Sequence, residues 1–80
     1  MGRVEVTLPR WGATMEEATV VEWLKQVGDD VRRDEPICVV ETDKVDAEVV
    51  SPADGVLAAQ VAKRDDVVVV GGALGAVETR

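Results

Sequence analysis

The sequence predicts an all-β fold made of two similar halves, and three observations support this. The chain of 80 residues is 46% hydrophobic, yet it has no Phe or Tyr, and its aromatic residues are Trp11 and Trp23. A core of valine and other aliphatic side chains favours strands, because branched side chains pack well on a pleated surface. Short apolar segments alternate with turn residues throughout, and the pattern of the first half recurs in the second.

Seven segments have the signature of short strands, in which apolar residues alternate with polar ones or form a short run between turns. We therefore expect six to eight strands. In chain order the segments are Val4–Leu8, Ala18–Leu24, Ile37–Val40, Val45–Val50, Val56–Val61, Val67–Val70 and Leu74–Val77.

Clusters of turn-forming residues separate these segments. Gly, Pro and Asp favour tight turns because of their backbone preferences and short polar side chains. The clusters occupy 28–30, 43–44, 52–55 and 64–66. Each one predicts a reversal of the chain between neighbouring strands.

An internal repeat relates the two halves at an offset of 37 residues, the separation between Asp29 and Asp66. Upstream the offset is 43 residues, which aligns 4–6 with 47–49. We expect two halves of about four strands each to pack face to face around a quasi-twofold axis. Further aligned pairs at the offset of 37 are Val31 with Val68, Ile37 with Leu74, and Val-Glu-Thr at 40–42 with Val-Glu-Thr at 77–79.

The repeat makes two predictions about where function lies. The two offsets differ by six residues, and the excess falls between Pro9 and Ala18, so this segment is expected to form a surface loop. The hairpin after Thr42 corresponds to the chain end after Thr79. A twofold axis therefore places that hairpin and the C-terminus at opposite ends of the protein.

Length and charge limit the remaining possibilities. A chain of 80 residues is expected to form one domain, residues 1–80, because it buries enough surface for a single core. Its formal charge of −7 argues against nucleic acid or an anionic membrane as a partner. The apolar runs are far shorter than the roughly 20 residues that span a membrane. We expect a soluble protein, cytoplasmic in a bacterium or in the mitochondrial matrix of a eukaryote.

The residue types argue against catalysis by this chain. It has no histidine, and Cys38 is its only cysteine, which rules out an intrachain disulfide and a cysteine-based metal site. Cys38 is expected to be buried, and Ser51 lacks an evident activating base. The acidic residues at 29–30 and 34–35 do not have the spacing of a calcium-binding loop, so they are expected to be solvated turn residues.

Lys44 is predicted to lie at the tip of a hairpin within Glu41–Asp46, between carboxylates. A protruding amine at a fixed position is what a modifying ligase can recognise. Taken alone, the residue is equally compatible with an ordinary turn lysine whose surface ion pairs contribute at most about 1 kcal/mol.

An ordered set of short motifs runs along essentially the whole chain: Leu8–Gly12, Thr14–Glu17, Val21–Lys25, Gly28-Asp29, Glu41–Val45, Ser51-Pro52 and Asp54-Gly55. In order and spacing these motifs resemble the lipoyl domains of 2-oxo acid dehydrogenase complexes, and most of all those of pyruvate or acetoin dehydrogenase acyltransferase subunits. The resemblance implies a flattened barrel of two four-stranded antiparallel sheets, in agreement with the repeat.

The resemblance also implies roles for individual residues. Lys44 matches the lysine that bears lipoate in amide linkage. Its neighbours match residues recognised by the decarboxylase that loads the lipoyl arm, and the loop after Pro9 matches a loop implicated in the choice of that decarboxylase. The recognition residues implied in this way are Asp43, Val45, Trp11, Met15, Glu16 and Glu17.

A non-catalytic swinging-arm carrier of acyl groups and electrons is the function that the resemblance implies. Its partners would be a lipoate ligase or lipoyl transferase, a thiamine-dependent 2-oxo acid decarboxylase, an acyltransferase core and a dihydrolipoyl dehydrogenase. The alternatives are a biotinyl carrier and an unmodified acidic interaction module. Biotin carriers usually have methionine on both sides of the attachment lysine, whereas this chain has Asp43 and Val45, which favours lipoate.

Three features remain open or depart from the family pattern. The chain stops at Arg80 without an Ala/Pro-rich linker, which suits either an excised piece of an acyltransferase or a free-standing carrier. Ala18 stands where the family often has Gly. Asp65 stands at a turn position where Gly is common, opposite Gly28 in the first half. Asp accepts positive φ better than most residues, so the turn is expected to be kept.

Overall fold

Eight strands form the computed structural model, which describes residues 2–10, 12, 15–43 and 45–79. The described residues include no helix long and apolar enough to cross a membrane. The strands are β1 (Gly2–Thr7), β2 (Glu17–Trp23), β3 (Asp30–Val31), β4 (Pro36–Glu41), β5 (Asp46–Val50), β6 (Gly55–Gln60), β7 (Val67–Val69) and β8 (Ala73–Thr79).

The strands pair antiparallel in two four-stranded sheets, with the orders β1-β8-β6-β3 and β5-β4-β2-β7. The structure measures 35 × 22 × 17 Å along its principal axes, so the sandwich is flattened. The all-β prediction, with its two sheets and quasi-twofold arrangement, is confirmed. All seven predicted segments overlap strands, and the unpredicted strand is β3, whose two residues begin at the last position of a predicted turn cluster.

The core lies between the two sheets and is made of aliphatic side chains. Alternation along the strands explains this: in β5, Val49 is buried whereas Val50 faces solvent. Burying each large aliphatic side chain contributes about 1.5–3 kcal/mol. The largest fully buried side chains are Leu8, Ile37, Leu57 and Leu74.

Side-chain hydrogen bonds reproduce the repeat across the two halves. Trp23 Nε1 donates to the carbonyl oxygen of Ala62 at 2.8 Å. Gln60 Nε2 donates to the carbonyl oxygen of Lys25, also at 2.8 Å. Position 60 is related to 23, and 62 to 25, by the offset of 37. In each half, a side chain therefore donates to the equivalent backbone carbonyl oxygen of the other half, as the quasi-twofold axis requires.

Backbone conformation follows the same symmetry. Gly28 has φ of 100°, and Asp65, its counterpart in the second half, has φ of 73°. Asp34 has φ of 69°, and its counterpart Gly71 has φ of 84°. Asp65 therefore keeps the left-handed turn, as expected, because the short side chain of Asp tolerates this region.

The ends of the chain lie far from the β4–β5 hairpin. β5 runs from the hairpin to Val50 and continues through 51–54 into β6. Gly55, at the start of β6, pairs with Thr79, and Thr79 pairs with Gly2. Gly2 and Thr79, the first and last described residues, thus lie at the end of β5 opposite the hairpin tip, as the repeat predicted for the C-terminal end.

Candidate functional site

The β4–β5 hairpin ends in a tight turn. Glu41 pairs with Asp46, and beyond this pair the Thr42 N–H donates to the carbonyl oxygen of Val45 at 2.9 Å. Only positions 43 and 44 remain between these two residues in the chain. Lys44, the predicted attachment residue, lies outside the described residues, so the site is defined here by its neighbours.

The side chain of Thr42 closes the turn a second time. Its hydroxyl donates to the carbonyl oxygen of Val45 at 2.9 Å. The Val45 N–H in turn donates to Thr42 Oγ1 over a longer 3.4 Å. Both polar backbone atoms of Val45 are therefore bound to one hydroxyl. We call this arrangement the Thr42 clasp.

The neighbours of position 44 are open to solvent. Asp43 is exposed, and the side chain of Val45 is 63% exposed although it is apolar. An exposed valine on a turn gains nothing from core packing, so it is available to contact another molecule. The structure therefore leaves both predicted recognition residues exposed, and their role in recognition stays a prediction.

The hairpin end is acidic. Glu41 and Asp46 are exposed and directly opposite each other on neighbouring strands, and Glu48 lies on the same face of β5 as Asp46. Like charges in direct cross-strand pairs are destabilising, so this pairing is not explained by the stability of the sheet. The carboxylates give this end of the protein a negative surface.

The loop after Pro9 approaches the same end. Thr19 of β2 pairs with Glu41, and Glu17 lies two residues further toward the hairpin end. Glu16 and Glu17 are both exposed, and the carbonyl oxygen of Glu16 accepts a hydrogen bond from the Val70 N–H at 2.9 Å. The strand register thus brings these two glutamates to the same end of the sheet as Asp43 and Val45.

The other two predicted recognition residues of the loop differ from these glutamates. Met15 is only partly exposed, and its side chain packs against the hydrophobic core. Its burial anchors the loop to the sandwich, because a flexible thioether side chain fills irregular space in a core. Trp11 lies outside the described residues.

The residues considered for other chemistry are structural. Cys38 is fully buried in β4, and burial raises the pKa of its thiol to about 11, so the thiol is protonated and unreactive at neutral pH. Ser51 is also fully buried, and its hydroxyl donates to the carbonyl oxygen of Ala53 at 2.7 Å. Neither side chain is placed to act as a nucleophile.

The acidic residues between β2 and β4 cap turns. Asp29 Oδ2 accepts the Gln26 N–H at 2.9 Å. Glu35 Oε1 accepts the Arg32 N–H at 2.9 Å, and its Oε2 lies 3.2 Å from Lys25 Nζ. The hydrogen bond from the Arg32 N–H, which has the larger effect, and the contact with Lys25 both lower the pKa of Glu35. Within the described ranges, no three His, Cys, Asp or Glu side chains are grouped to hold a metal ion.

Comparison with known proteins identifies the family. A family model described as "Biotin-requiring enzyme", which covers biotin and lipoyl carriers, matches residues 4–77. The solution structure of the lipoyl domain of the 2-oxoglutarate dehydrogenase complex from Azotobacter vinelandii is similar, with a TM-score of 0.74 and 38% identity. The alignment covers 96% of this chain and 99% of that one. This chain belongs to the lipoyl domain family. Its role is that of a lipoyl carrier, and the biotinyl alternative is not favoured.

Sequence relatives agree with the structural neighbour. The chain is 51% identical over 69 residues to the acetyltransferase component of the pyruvate dehydrogenase complex of Mycobacterium tuberculosis. It is 44% identical over 72 residues to the acetyltransferase component of the acetoin cleaving system of Pseudomonas putida. The matches cover 86% and 90% of this chain, but only 12% and 20% of those proteins. The lipoyl domain described here therefore corresponds to a small part of each relative.

The feature that sequence reasoning missed is the Thr42 clasp. Thr42 was noted as part of the repeated Val-Glu-Thr, with Thr79 as its counterpart, but no role followed from the alignment. A signal was present in the repeat, since a threonine directly follows β4 and an equivalent threonine ends β8. The role of this threonine depends on which backbone atoms of the neighbouring strand its hydroxyl faces, and only the structure shows these atoms.

Proposed function

We propose that Lys44 carries lipoate in amide linkage and that the domain thereby acts as the swinging-arm carrier of a 2-oxo acid dehydrogenase complex. The observation that carries this proposal is the two-residue turn at the end of the β4–β5 hairpin, closed by Thr42 and Val45, in a chain with the lipoyl domain fold. The described residues on either side of Lys44, Asp43 and Val45, follow β4 and precede β5 at one end of the sandwich, which supports attachment at this position.

The surroundings of position 44 fit a covalently attached arm. Asp43 and Val45, on either side of this position, are both exposed, which supports attachment of an arm that extends into solvent. The amine of Lys44 and the carboxyl group of lipoate form the amide with net loss of one water. When bound, lipoate supplies a dithiolane that accepts an acyl group together with electrons. The domain contributes position and recognition, and we propose that it is not itself a catalyst.

The proposed partners follow from a carrier role. A lipoate ligase or lipoyl transferase attaches the cofactor, and a thiamine-dependent 2-oxo acid decarboxylase loads it. An acyltransferase core receives the acyl group, and dihydrolipoyl dehydrogenase reoxidises the arm. Tethering the arm raises its effective concentration at each active site, so the intermediates stay within the assembly.

Recognition by the decarboxylase is proposed to use the acidic hairpin end, including the exposed glutamates of the neighbouring loop. The double variant Glu16→Lys/Glu17→Lys is expected to lower kcat/KM for acylation of the lipoylated domain about tenfold, because complementary charge steers association. The control Glu5→Lys/Glu78→Lys makes the same charge change on the other sheet. Equal rates for the two double variants would remove the proposed role of the loop.

Intact mass tests the cofactor assignment. We expect the domain, produced with active lipoate and biotin ligases, to gain the mass of lipoate less one water, and peptide mapping to place the gain on Lys44. A biotin-sized gain would assign the domain to the carboxylase carriers. No gain in the presence of a competent ligase would favour an unmodified acidic interaction module.

A further inference from the structure

The Thr42 clasp has a counterpart at the opposite end of the protein. Thr79 Oγ1 accepts the Gly2 N–H at 2.9 Å and donates to the Gly2 carbonyl oxygen at 3.1 Å. Thr79 is related to Thr42 by the offset of 37, and Val45 is related to Gly2 by the offset of 43. The same hydroxyl therefore joins the same two strand ends in each half of the protein.

The two clasps differ in what they hold. The clasp at Thr79 joins the two ends of the chain, β1 and β8. The clasp at Thr42 joins strands that continue into the turn at positions 43–44. If these hydroxyl contacts only stabilised the sandwich, they would be needed equally at both ends. Only the clasp at Thr42 also fixes the residues next to the lysine that, on the proposed function, receives lipoate.

We propose that Thr42 is a positioning residue for the modification of Lys44. Its hydroxyl binds both polar backbone atoms of Val45, which links the backbone on the two sides of the turn. A ligase that recognises an amine at a fixed position gains from this order, because a pre-organised turn loses less conformational entropy on binding. Thr42 acts through the turn and has no contact of its own with the cofactor.

Three substitutions separate positioning from simple stability. Thr42→Val keeps the shape of the side chain and removes its hydroxyl. Thr42→Ser keeps the hydroxyl and removes a methyl group. Thr79→Val removes the equivalent hydroxyl at the far end and serves as the matched control. The probe is an ATP-dependent lipoate ligase with free lipoate, and the readouts are kcat and KM for the domain together with the urea midpoint of unfolding.

We expect Thr42→Val to lower kcat/KM for lipoylation about tenfold, since a small misplacement of a reacting group slows transfer strongly. Thr42→Ser and Thr79→Val are expected to stay within about twofold of the original domain, a difference that corresponds to less than one ordinary hydrogen bond. The urea midpoints of Thr42→Val and Thr79→Val are expected to fall by similar amounts, because the two hydroxyls make equivalent contacts.

Two results would overturn the inference: unchanged lipoylation of Thr42→Val, or an equal slowing by Thr42→Val and Thr79→Val. Should Thr42→Val not fold, Thr42→Ala and Thr42→Ser provide the same test. Lipoylation of Thr42→Ala is expected to be slow, and lipoylation of Thr42→Ser is expected to be normal. The inference rests on the proposed function, but the two fail differently. A domain that is lipoylated at Lys44 with no effect of Thr42 refutes only the positioning role, whereas an unmodified Lys44 refutes both.

Discussion

Lys44→Arg is expected to abolish lipoylation while the domain stays folded. The guanidinium of arginine remains protonated, so it has no free amine with which to form an amide. Both described neighbours of position 44 are exposed, and the substitution keeps the positive charge, so the free energy of unfolding should change by no more than about 0.5 kcal/mol. Intact mass after incubation with ligase, lipoate and ATP measures the first effect, and urea unfolding measures the second.

Two other lysines provide the controls for this experiment. Lys63 precedes an exposed turn, and its N–H donates to Asp66 Oδ2 at 2.8 Å, a backbone contact that Lys63→Arg preserves. Lys25 lies 3.2 Å from Glu35 and is partly shielded. Lys63→Arg and Lys25→Arg are expected to be lipoylated as fully as the original domain. Transfer of lipoate to either lysine in the Lys44→Arg variant would contradict the assignment.

Much of the fold was predictable because the information for it is local or repeated. The valine-rich segments and the turn residues between them identify seven strands, and the repeat predicts two equivalent halves. The strand that was missed, Asp30–Val31, has two residues and pairs with Val56 and Gly55 more than 20 positions away. A strand this short has no periodicity of its own. Its partner in β6 determines it.

The candidate site was predictable in its location but not in its detail. A lysine between two strands, following Asp43, indicates a hairpin tip, and the positions of its described neighbours agree with that. The anchoring of Met15 in the core was not predictable, because an apolar residue in a loop has no period that assigns it to a face. The clasp of Thr42 on Val45 depends on the register between β4 and β5, which no single segment specifies.

Gly55→Ala is expected to destabilise the fold by about 3 kcal/mol or more. Gly55 begins β6, and a Cβ added there would lie 2.1 Å from the carbonyl oxygen of Glu78 and 3.1 Å from the Cα of Thr79. These are backbone atoms of the paired strand β8, which cannot move aside as a flexible side chain would. Crowding of this kind in a packed core commonly costs about 1–3 kcal/mol when side chains can adjust, and more when they cannot.

The symmetry-related position shows that this restriction belongs to one half only. Gly55 corresponds to Ala18 at the offset of 37, and Ala18 is buried with its methyl group in the core.

Urea unfolding measures the effect of Gly55→Ala. The midpoint of unfolding is expected to fall by about 2 M or more, given the slope typical of a small domain. Gly12→Ala is the matched control, since no atom of the described residues, chain neighbours aside, lies within 4 Å of a Cβ added there. Similar urea midpoints for the two variants would mean that the backbone of β8 can shift at Glu78. The close approach of β6 and β8 would then not require glycine.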